Sequence, residues 1–174
     1  MLATNYTNPR NLVSYDVAQI AAATKTIDFA AYSLTEAAII QEIIEAAAHG
    51  VAVRVYLDRG ELEAEARGNP ALPNCPLRGL LNLPNVTVRV KASMVLMHLK
   101  SYCVDGKTVR DGSANFSDLG ESQQDNSVTL TDDPAAAAAF AAKFTAMWSR
   151  PDNMSVEAAI EQSASYAHQR TRQH

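Results

Sequence analysis

The sequence lacks the segments that would place it in a membrane, and it has no excess of positive charge. No run of eighteen apolar residues occurs in its 174 residues, so we expect no membrane-spanning helix. Residues 1–11 show no basic segment followed by an apolar one, so the sequence predicts no signal peptide. The formal net charge is −4, which argues against a surface coated in basic residues, and any site for a polyanion must be local.

Cysteine is scarce, and its spacing excludes the common zinc sites. The two cysteines, Cys75 and Cys103, lack the paired spacing of zinc ligands. They are either two separate thiols or a disulfide formed in an oxidising compartment, and the sequence leaves both open. Apolar residues make up 47% of the chain and charged residues 20%, which is the balance of one globular domain with a substantial core.

Strand-like and helix-like patterns alternate in the first sixty residues. Residues 26–33 form an apolar run of strand length, residues 35–49 are rich in alanine and isoleucine, and residues 51–58 are rich in valine. A strand, a helix and a strand within about thirty residues predict a β-α-β unit with parallel strands. Residues 59–84 contain four prolines and predict a long loop with one short helix, at residues 77–82.

The second half of the chain predicts four further strands and a helix. The patterns lie at residues 86–92, 98–111, 126–131 and 134–148. Within residues 98–111, Asp105 and Gly106 are a turn signal between two strands, which predicts a β-hairpin. Residues from 151 onward are polar, so we expect a domain at residues 1–150 and a peripheral helix or polar tail at residues 151–174.

Polar side chains concentrate on one face of the predicted hairpin. Because side chains alternate along a strand, His98 and Lys100 share a face. The hairpin and the turn that follows it can return Ser113 and Asn115 to the same face. A titratable ring, a cation, a hydroxyl and an amide on one surface suit a phosphodiester, whose anionic oxygens need donors and whose phosphorus needs a nucleophile.

At these residues the chain resembles the phospholipase D superfamily. The family motif, H-x-K-x4-D-x6-G-S-x-N, is matched at every fixed position, by His98, Lys100, Asp105, Gly112, Ser113 and Asn115. Upstream, residues 26–58 are similar to the strand-helix-strand unit of the small bacterial nuclease branch, and the resemblance covers residues 20–148. It implies an α/β fold, a phospholipase D-like α-β-α sandwich with a mixed β-sheet, and this chain carries one motif.

The resemblance also implies a role for the polar residues of the motif. His98 would be the nucleophile that forms a covalent phosphohistidine. Lys100 and Asn115 would hold the non-bridging oxygens of the phosphate, with Ser113 as a further donor.

Other residues would support this set. Asp105 and Gly112 resemble the motif residues that maintain the hairpin and the turn. Relatives commonly carry a glutamate after the turn that orients the histidine ring, and here Asp125 is the candidate. A shift of the alignment by one residue would place Asn126 there instead. The scheme uses no metal ion and no other cofactor.

The chemistry needs two histidines, one to attack and one to protonate the leaving oxygen, whereas the chain has one motif. Members of the family with one motif form homodimers, so we expect a homodimer with one active site at its two-fold seam. The resemblance favours a metal-independent phosphodiesterase, a DNA endonuclease with little sequence preference. The alternatives are a phospholipid phosphodiesterase with phospholipase D activity and a catalytically inactive nucleic-acid-binding module.

Basic residues surround the motif in the sequence. Four of them lie near Lys100 along the chain: Arg89, Lys91, Lys107 and Arg110. On an acidic protein this local excess would steer a phosphate backbone toward His98, although a solvated hairpin face would have the same composition. Small relatives are often exported, so we expect a mature periplasmic or secreted protein rather than a cytoplasmic one.

Overall fold

The structure is a computed structural model that describes residues 2–6, 11–68 and 77–162, with side chains for all of these except residues 67 and 68. The strands are β1 (Leu2–Tyr6), β2 (Thr26–Ala31), β3 (Ala52–Leu57), β4 (Val86–Val90), β5 (Lys100–Val104), β6 (Thr108–Gly112) and β7 (Ser127–Thr131). The helices are α1 (Val13–Ala21), α2 (Ala37–Ala48), α3 (Arg59–Gly68), α4 (Leu77–Leu81), α5 (Asp118–Ser122) and α6 (Pro134–Trp148). None of the described helices is long and apolar enough to cross a membrane.

The strands form one mixed sheet in the order β1-β7-β6-β5-β2-β3-β4. β2, β3 and β4 are parallel to one another, and the other neighbouring pairs are antiparallel. The mixed sheet and its β-α-β unit are therefore as the sequence predicts. Because of these directions, β2, β3, β4 and β6 end at the edge of the sheet where β5 and β7 begin, and we call this the carboxyl edge.

Helices cover both faces of the sheet. Alternate residues of β2 point to opposite faces, so Phe29 joins the core with Ile20 of α1 and Ile40 of α2, whereas Ala30 packs with Phe144 of α6. Full burial of a large apolar side chain contributes about 1.5–3 kcal/mol, and both faces of the sheet are stabilised in this way. The α-β-α sandwich is confirmed.

The prediction of a long loop over residues 59–84 is wrong for its first part, which forms α3. Asp58 accepts a hydrogen bond from the backbone N–H of Glu61 at 3.0 Å and so caps the helix. The segment is rich in glutamate, alanine, leucine and arginine, which favour helices, and Leu62 packs into the core. The prolines all lie beyond residue 68, where they cannot interrupt α3. The helix α4 lies within the short helix that was predicted.

The core extends past the predicted domain boundary. Val156 and Ala159 are buried among the residues of the main core, in a segment that the sequence predicts to be peripheral. Residues 151–162 are therefore part of the packed domain, because a helix there buries its apolar face. The rest of the expected tail, residues 163–174, lies outside the described residues.

The β5–β6 hairpin forms where the sequence predicts it. Asp105 and Gly106 both have positive φ, at 55° and 64°, which is the conformation of a type I′ turn. A backbone hydrogen bond of 2.9 Å closes the turn. Cys103, on β5, is a free and buried cysteine, whereas Cys75 lies outside the described residues.

Candidate active site

His98 and Lys100 lie together at the carboxyl edge. His98 precedes β5 and is exposed, whereas Lys100 is only 6% exposed and pairs with Ala31 at the end of β2. The Nζ of Lys100 donates to the backbone carbonyl of His98 at 3.0 Å. The structure thus holds an accessible imidazole beside a nearly buried ammonium group.

Tyr32, directly after β2, contacts both of these side chains. Its ring meets the His98 ring edge-on, with centroids 4.7 Å apart. The Nζ of Lys100 lies 4.7 Å from the centroid of the same ring, within the range of a cation–π contact. Tyr32 therefore fixes the relative positions of the nucleophile candidate and the cation.

The electrostatic environment of Lys100 is unusual for a lysine. Burial lowers its pKa, and the charge of Arg110 acts in the same direction, whereas Glu61 and Asp58 act in the opposite one. Among the described residues, one carbonyl accepts a hydrogen bond from its three N–H donors. The remaining donors are free to bind an anion.

Asp58 attaches the segment before His98 to the end of β3. It is 2% exposed, and its Oδ2 accepts a hydrogen bond from the backbone N–H of Met97 at 2.7 Å. Its other carboxylate oxygen caps α3. Because Met97 directly precedes His98, this contact fixes the backbone that carries the imidazole.

The turn after β6 presents Ser113 and Asn115. A Cβ at Gly112 would lie 2.1 Å from the carbonyl oxygen of Ser127, so only glycine fits there. The Oγ of Ser113 accepts a hydrogen bond from the backbone N–H of Ser127 at 3.0 Å, which leaves its own hydrogen free to be donated. The Oδ1 of Asn115 is buried with no hydrogen-bond partner among the described residues, which costs about 1–3 kcal/mol for such a group.

Most of the chain matches the model of one protein family. Residues 17–148 match the family model described as "Cardiolipin synthase, PLD-like domain". The chain belongs to the phospholipase D-like family. This match confirms the resemblance drawn from the motif. Members of this family are phosphodiesterases.

Curated relatives of the family share about a quarter of their residues with this chain. It is 27% identical over 141 residues to a phospholipase D of Rickettsia conorii, covering 80% of this chain and 65% of the relative. It is 25% identical over 129 residues to a mitochondrial cardiolipin hydrolase of Chlamydomonas reinhardtii, covering 74% of this chain and 54% of the relative. The chain thus spans less than two thirds of the length of either relative.

Two solved structures share the fold over most of the chain. The phospholipase D family member Nuc of Salmonella typhimurium matches with a TM-score of 0.71 and 23% identity, over 89% of this chain and 98% of that one. NucT of Helicobacter pylori matches with a TM-score of 0.69 and 21% identity, over 85% and 96%. These likenesses establish the phospholipase D-like fold.

Arg110, predicted from sequence as a substrate contact, is fully buried. Its guanidinium group binds Asp16 of α1 through two hydrogen bonds, of 3.1 and 3.0 Å, and Glu121 of α5 at 2.9 Å. The prediction for Arg110 is therefore wrong, because the side chain points into the core beneath the motif and cannot reach a substrate.

One of the two carboxyl groups that bind Arg110 has a raised pKa. Burial, and then the negative charge of Asp16, raise the pKa of Glu121 to about 8. With a pKa of about 8, Glu121 is largely protonated at neutral pH, and Tyr102 donates its hydroxyl hydrogen to Asp16 at 2.9 Å.

The other three basic residues differ in where they lie relative to the motif. Arg89 lies on β4, which two strands separate from β5, and donates to the carbonyl of Trp148 at 2.6 Å. Lys107 lies at the hairpin turn, at the opposite edge of the sheet from His98. Lys91 donates to the carbonyl oxygens of the loop before His98. Arg89 and Lys107 therefore do not form the expected basic surface next to Lys100, and a substrate contact by Lys91 stays a prediction.

Asp125, the predicted partner of the histidine ring, lies in the loop before β7. It is exposed and lines an open hollow with Ser113 and Ser127. Within the described residues it forms no hydrogen bond with His98. Asn126 donates to the carbonyl of Gly120 at 2.9 Å, so its amide holds the loop. Orientation of His98 by Asp125 stays a prediction.

Asp105 lies at the far end of the hairpin. Its carboxylate accepts hydrogen bonds from the backbone N–H groups of Thr24, Lys25 and Thr26 and from the hydroxyl of Thr24, at 2.7–3.3 Å. Burial alone would raise its pKa, but these hydrogen bonds outweigh it and lower the pKa to about 2. Asp105 thus attaches the hairpin turn to the chain that enters β2.

Proposed function

We propose that this protein is a metal-independent phosphodiesterase, a DNA endonuclease in which His98 attacks phosphorus. The observation that carries the proposal is the exposed His98 imidazole held next to the nearly buried ammonium group of Lys100. A nucleophile needs access to its substrate, and a desolvated cation binds a phosphate oxygen more strongly than an exposed one.

The reaction proceeds in two displacements. A ring nitrogen of His98 bonds to phosphorus while the bond to the leaving oxygen breaks, which gives a phosphohistidine. A second histidine donates a proton to that oxygen and then takes one from water. The water oxygen bonds to phosphorus, the phosphorus–nitrogen bond breaks, and His98 is regenerated. Lys100, Ser113 and Asn115 donate hydrogen bonds to the non-bridging oxygens.

The second histidine comes from another copy of the chain. His49 closes α2, where its Nδ1 lies 2.9 Å from the carbonyl oxygen of Glu45. It is at the opposite end of α2 from Glu36, whose backbone N–H binds the carbonyl of Phe116 beside Asn115. The remaining histidines, His168 and His174, lie outside the described residues. A homodimer that joins two His98 side chains across a two-fold axis supplies both roles.

An exposed apolar segment next to His98 supports this arrangement. Met94, Val95 and Leu96 are 62%, 74% and 55% exposed, and they end two residues before His98. Contiguous apolar side chains at a surface are typical of an interface. A second copy that shares the active site would cover them.

The segment gives a direct test of the dimer. Val95→Asp should increase the fraction of monomer in sedimentation velocity and reduce activity in parallel. Leu2→Asp is the matched control, because Leu2 is equally exposed, at 72%, but lies at the other edge of the sheet. If the Val95→Asp protein remained dimeric and active, this segment would not be part of the dimer interface.

DNA is the proposed substrate because the motif resembles that of the small bacterial nuclease branch. The structures of Nuc and NucT match this chain over nearly their whole length, whereas the curated phospholipase D relatives are longer. The test is nicking of supercoiled plasmid in excess EDTA by the wild type, His98→Ala and His49→Ala. Cleavage by the wild type and His49→Ala, but not by His98→Ala, is the expected result. Plasmid binding without cleavage by all three would instead support an inactive binding module.

A phospholipid substrate is the second candidate. The apolar segment at Met94–Leu96 is the observation that favours it, since acyl chains could contact the same side chains. Vesicles of phosphatidylcholine with cardiolipin, assayed for released headgroup in EDTA, distinguish it from the nuclease. Hydrolysis of vesicles without nicking of plasmid would reverse the order of the two candidates.

A further inference from the structure

We infer that Arg110 is a positioning residue of the active site: its buried guanidinium group holds the Lys100 end of β5 against the turn that carries Asn115. The inference rests on the proposed function, because it assigns Arg110 a part in placing the two phosphate-binding side chains. Sequence patterns suggest the opposite, an exposed cation that contacts the substrate.

The hydrogen bonds of Arg110 account for every N–H of its side chain. Three go to the carboxyl groups of Asp16 and Glu121. The Nη1 group donates the other two, to the carbonyl oxygen of Lys100 at 2.5 Å and to that of Ala114 at 3.2 Å. A guanidinium group has five N–H donors, so none is left for a substrate.

The two carbonyl contacts join the two halves of the motif. The carbonyl of Lys100 is at the base of the side chain that binds phosphate in the proposed mechanism. The carbonyl of Ala114 belongs to the peptide group whose nitrogen is that of Asn115. Through one nitrogen atom, Arg110 therefore sets the distance between the backbones of Lys100 and Asn115.

The strand ladder does not fix this distance. β5 and β6 are paired from Tyr102–Arg110 to Val104–Thr108, so the ladder stops before Lys100. Beyond it, the direct links between the two strands within the described residues are the contacts of Arg110 and a hydrogen bond of 2.6 Å from Ser101 to Asp111. The backbone of β2 and the segment after it contact each side separately, Ala31 with Lys100 and Leu34 with Phe116. The direct link between the two sides thus depends on side-chain contacts.

The two carboxyl groups and a ring fix the guanidinium group in turn. Asp16 binds it through two parallel hydrogen bonds from α1, and Glu121 holds it from α5, while the Phe116 ring lies 4.3 Å below it. A buried ion pair is weak support for stability, since apolar residues of the same volume often do as well. Its value here is a fixed geometry, because the guanidinium plane allows little rotation.

Arg110→Lys tests the inference, with Arg54→Lys as the matched control. Arg54 also pairs with a carboxylate through two hydrogen bonds of 2.7 Å, to Asp28, on the opposite face of the sheet. Lysine keeps the charge but cannot bind both carbonyl groups and both carboxylates. We expect Arg110→Lys to lower kcat by about 100-fold with a smaller change in KM, and Arg54→Lys to keep kcat.

Amide chemical shifts give a readout that does not need catalysis. The nitrogens of Ser101 and Asn115 belong to the two peptide groups that Arg110 binds. In Arg110→Lys, both amide resonances should shift, whereas those of the Asp105 turn should not. If the wild type has no phosphodiesterase activity, the proposed function fails, and these shifts still decide whether Arg110 joins the two segments.

Asp16→Asn decides the question if Arg110→Lys does not fold. Asparagine keeps the shape of the aspartate but weakens the contact that orients the guanidinium group. We expect a folded protein with kcat reduced by about tenfold and the same two amide shifts. Unchanged kcat and unchanged Ser101 and Asn115 amides in a folded variant would overturn the inference.

Discussion

The polar groups at the two ends of the β5–β6 hairpin differ in how many hydrogen-bond partners they have within the protein. At the turn, Asp105 accepts hydrogen bonds from three successive backbone N–H groups and a hydroxyl. At the carboxyl edge, His98 is exposed, and among the described residues the ammonium group of Lys100 donates to one carbonyl only, which leaves donors for an anion. One hairpin therefore carries a polar group that stabilises the fold and others that are kept for a ligand.

This difference follows from the energetics of polar burial. A carboxylate that receives several hydrogen bonds contributes to stability, whereas a nearly buried cation with few partners costs free energy. Active sites retain such costs because the free donors bind the substrate. Removal of a polar group should therefore affect activity at the carboxyl edge and stability at the turn.

The largest expected effect is on activity, from Lys100→Met. Methionine is nearly isosteric and needs no charge partner, so folding stability should stay equal or rise. Loss of one preorganised donor to the phosphate should lower kcat by about 10²–10³-fold. Single-turnover cleavage of plasmid, together with urea unfolding, measures both quantities. A loss of stability as large as the loss of activity would contradict the separation of the two ends.

At the turn, Asp105→Ala should lower the free energy of unfolding by about 2–4 kcal/mol. The change removes the acceptor of four hydrogen bonds and places alanine at a φ of 55°. Asp105→Asn is the control, because asparagine tolerates positive φ and keeps one acceptor oxygen. Urea unfolding gives the free energies, and activity per folded molecule should stay at the wild-type level in both variants.

The lowered pKa of Asp105 also gives this contact a pH signature. The folded-state pKa is about 2, below the usual 3.8, so the ionised form is stabilised by folding. The contribution is complete above pH 4 and is lost as the pH falls from about 4 to about 2. Because the group is partly exposed, we expect about 1 kcal/mol after solvent screening. Urea titrations between pH 2 and 5 should show this loss for the wild type and not for Asp105→Ala.

Near the carboxyl edge, Glu65 should show the opposite dependence on pH. Burial raises its pKa to about 7, and the charge of Glu61 adds to this, although the 2.8 Å hydrogen bond from Ser33 acts the other way. The protonated form is favoured by folding, so the wild type should lose stability as the pH rises from about 4.5 to about 7.

Glu65→Gln tests whether Glu65 causes this pH dependence, because glutamine stays neutral at every pH. Its advantage over the wild type should be absent near pH 4 and reach about 2 kcal/mol near pH 8. Urea midpoints at several pH values measure the difference, with the exposed Glu157→Gln as the control. Equal stability of Glu65→Gln and the wild type at pH 8 would show that Glu65 is solvated.

The sequence alone predicts the features that depend on neighbouring residues or on a recognisable motif. The alternating pattern of β5, the Asp105–Gly106 turn and the spacing of the motif placed His98 and Lys100 together and predicted the sandwich. The contacts of Arg110 could not be foreseen, since Asp16 is 94 residues away in sequence. A buried arginine and a surface arginine look alike in a strand when no partner is known.

Two further residues of the site were missed for a related reason. Tyr32 and Asp58 directly follow β2 and β3, at the carboxyl ends of two parallel strands. That position is itself a signal, because loops at this edge of a parallel sheet commonly carry functional groups. The sequence predicts both strands, but neither Tyr32 nor Asp58 belongs to a motif that would mark it as a site residue.

The smallest expected effect on activity is that of Lys107→Ala. This variant tests whether the substrate-binding surface extends to the hairpin turn. Lys107 is exposed at the turn. Asp105 of that turn lies five positions after Lys100, the first residue of β5, which is about 17 Å at the usual rise. That is about twice the screening length of charges at physiological salt, ~8 Å. The variant should therefore cleave plasmid within about twofold of the wild-type rate at that salt, with unchanged stability. A larger loss that disappeared at high salt would show that DNA crosses the turn, and the site would then extend along the whole hairpin.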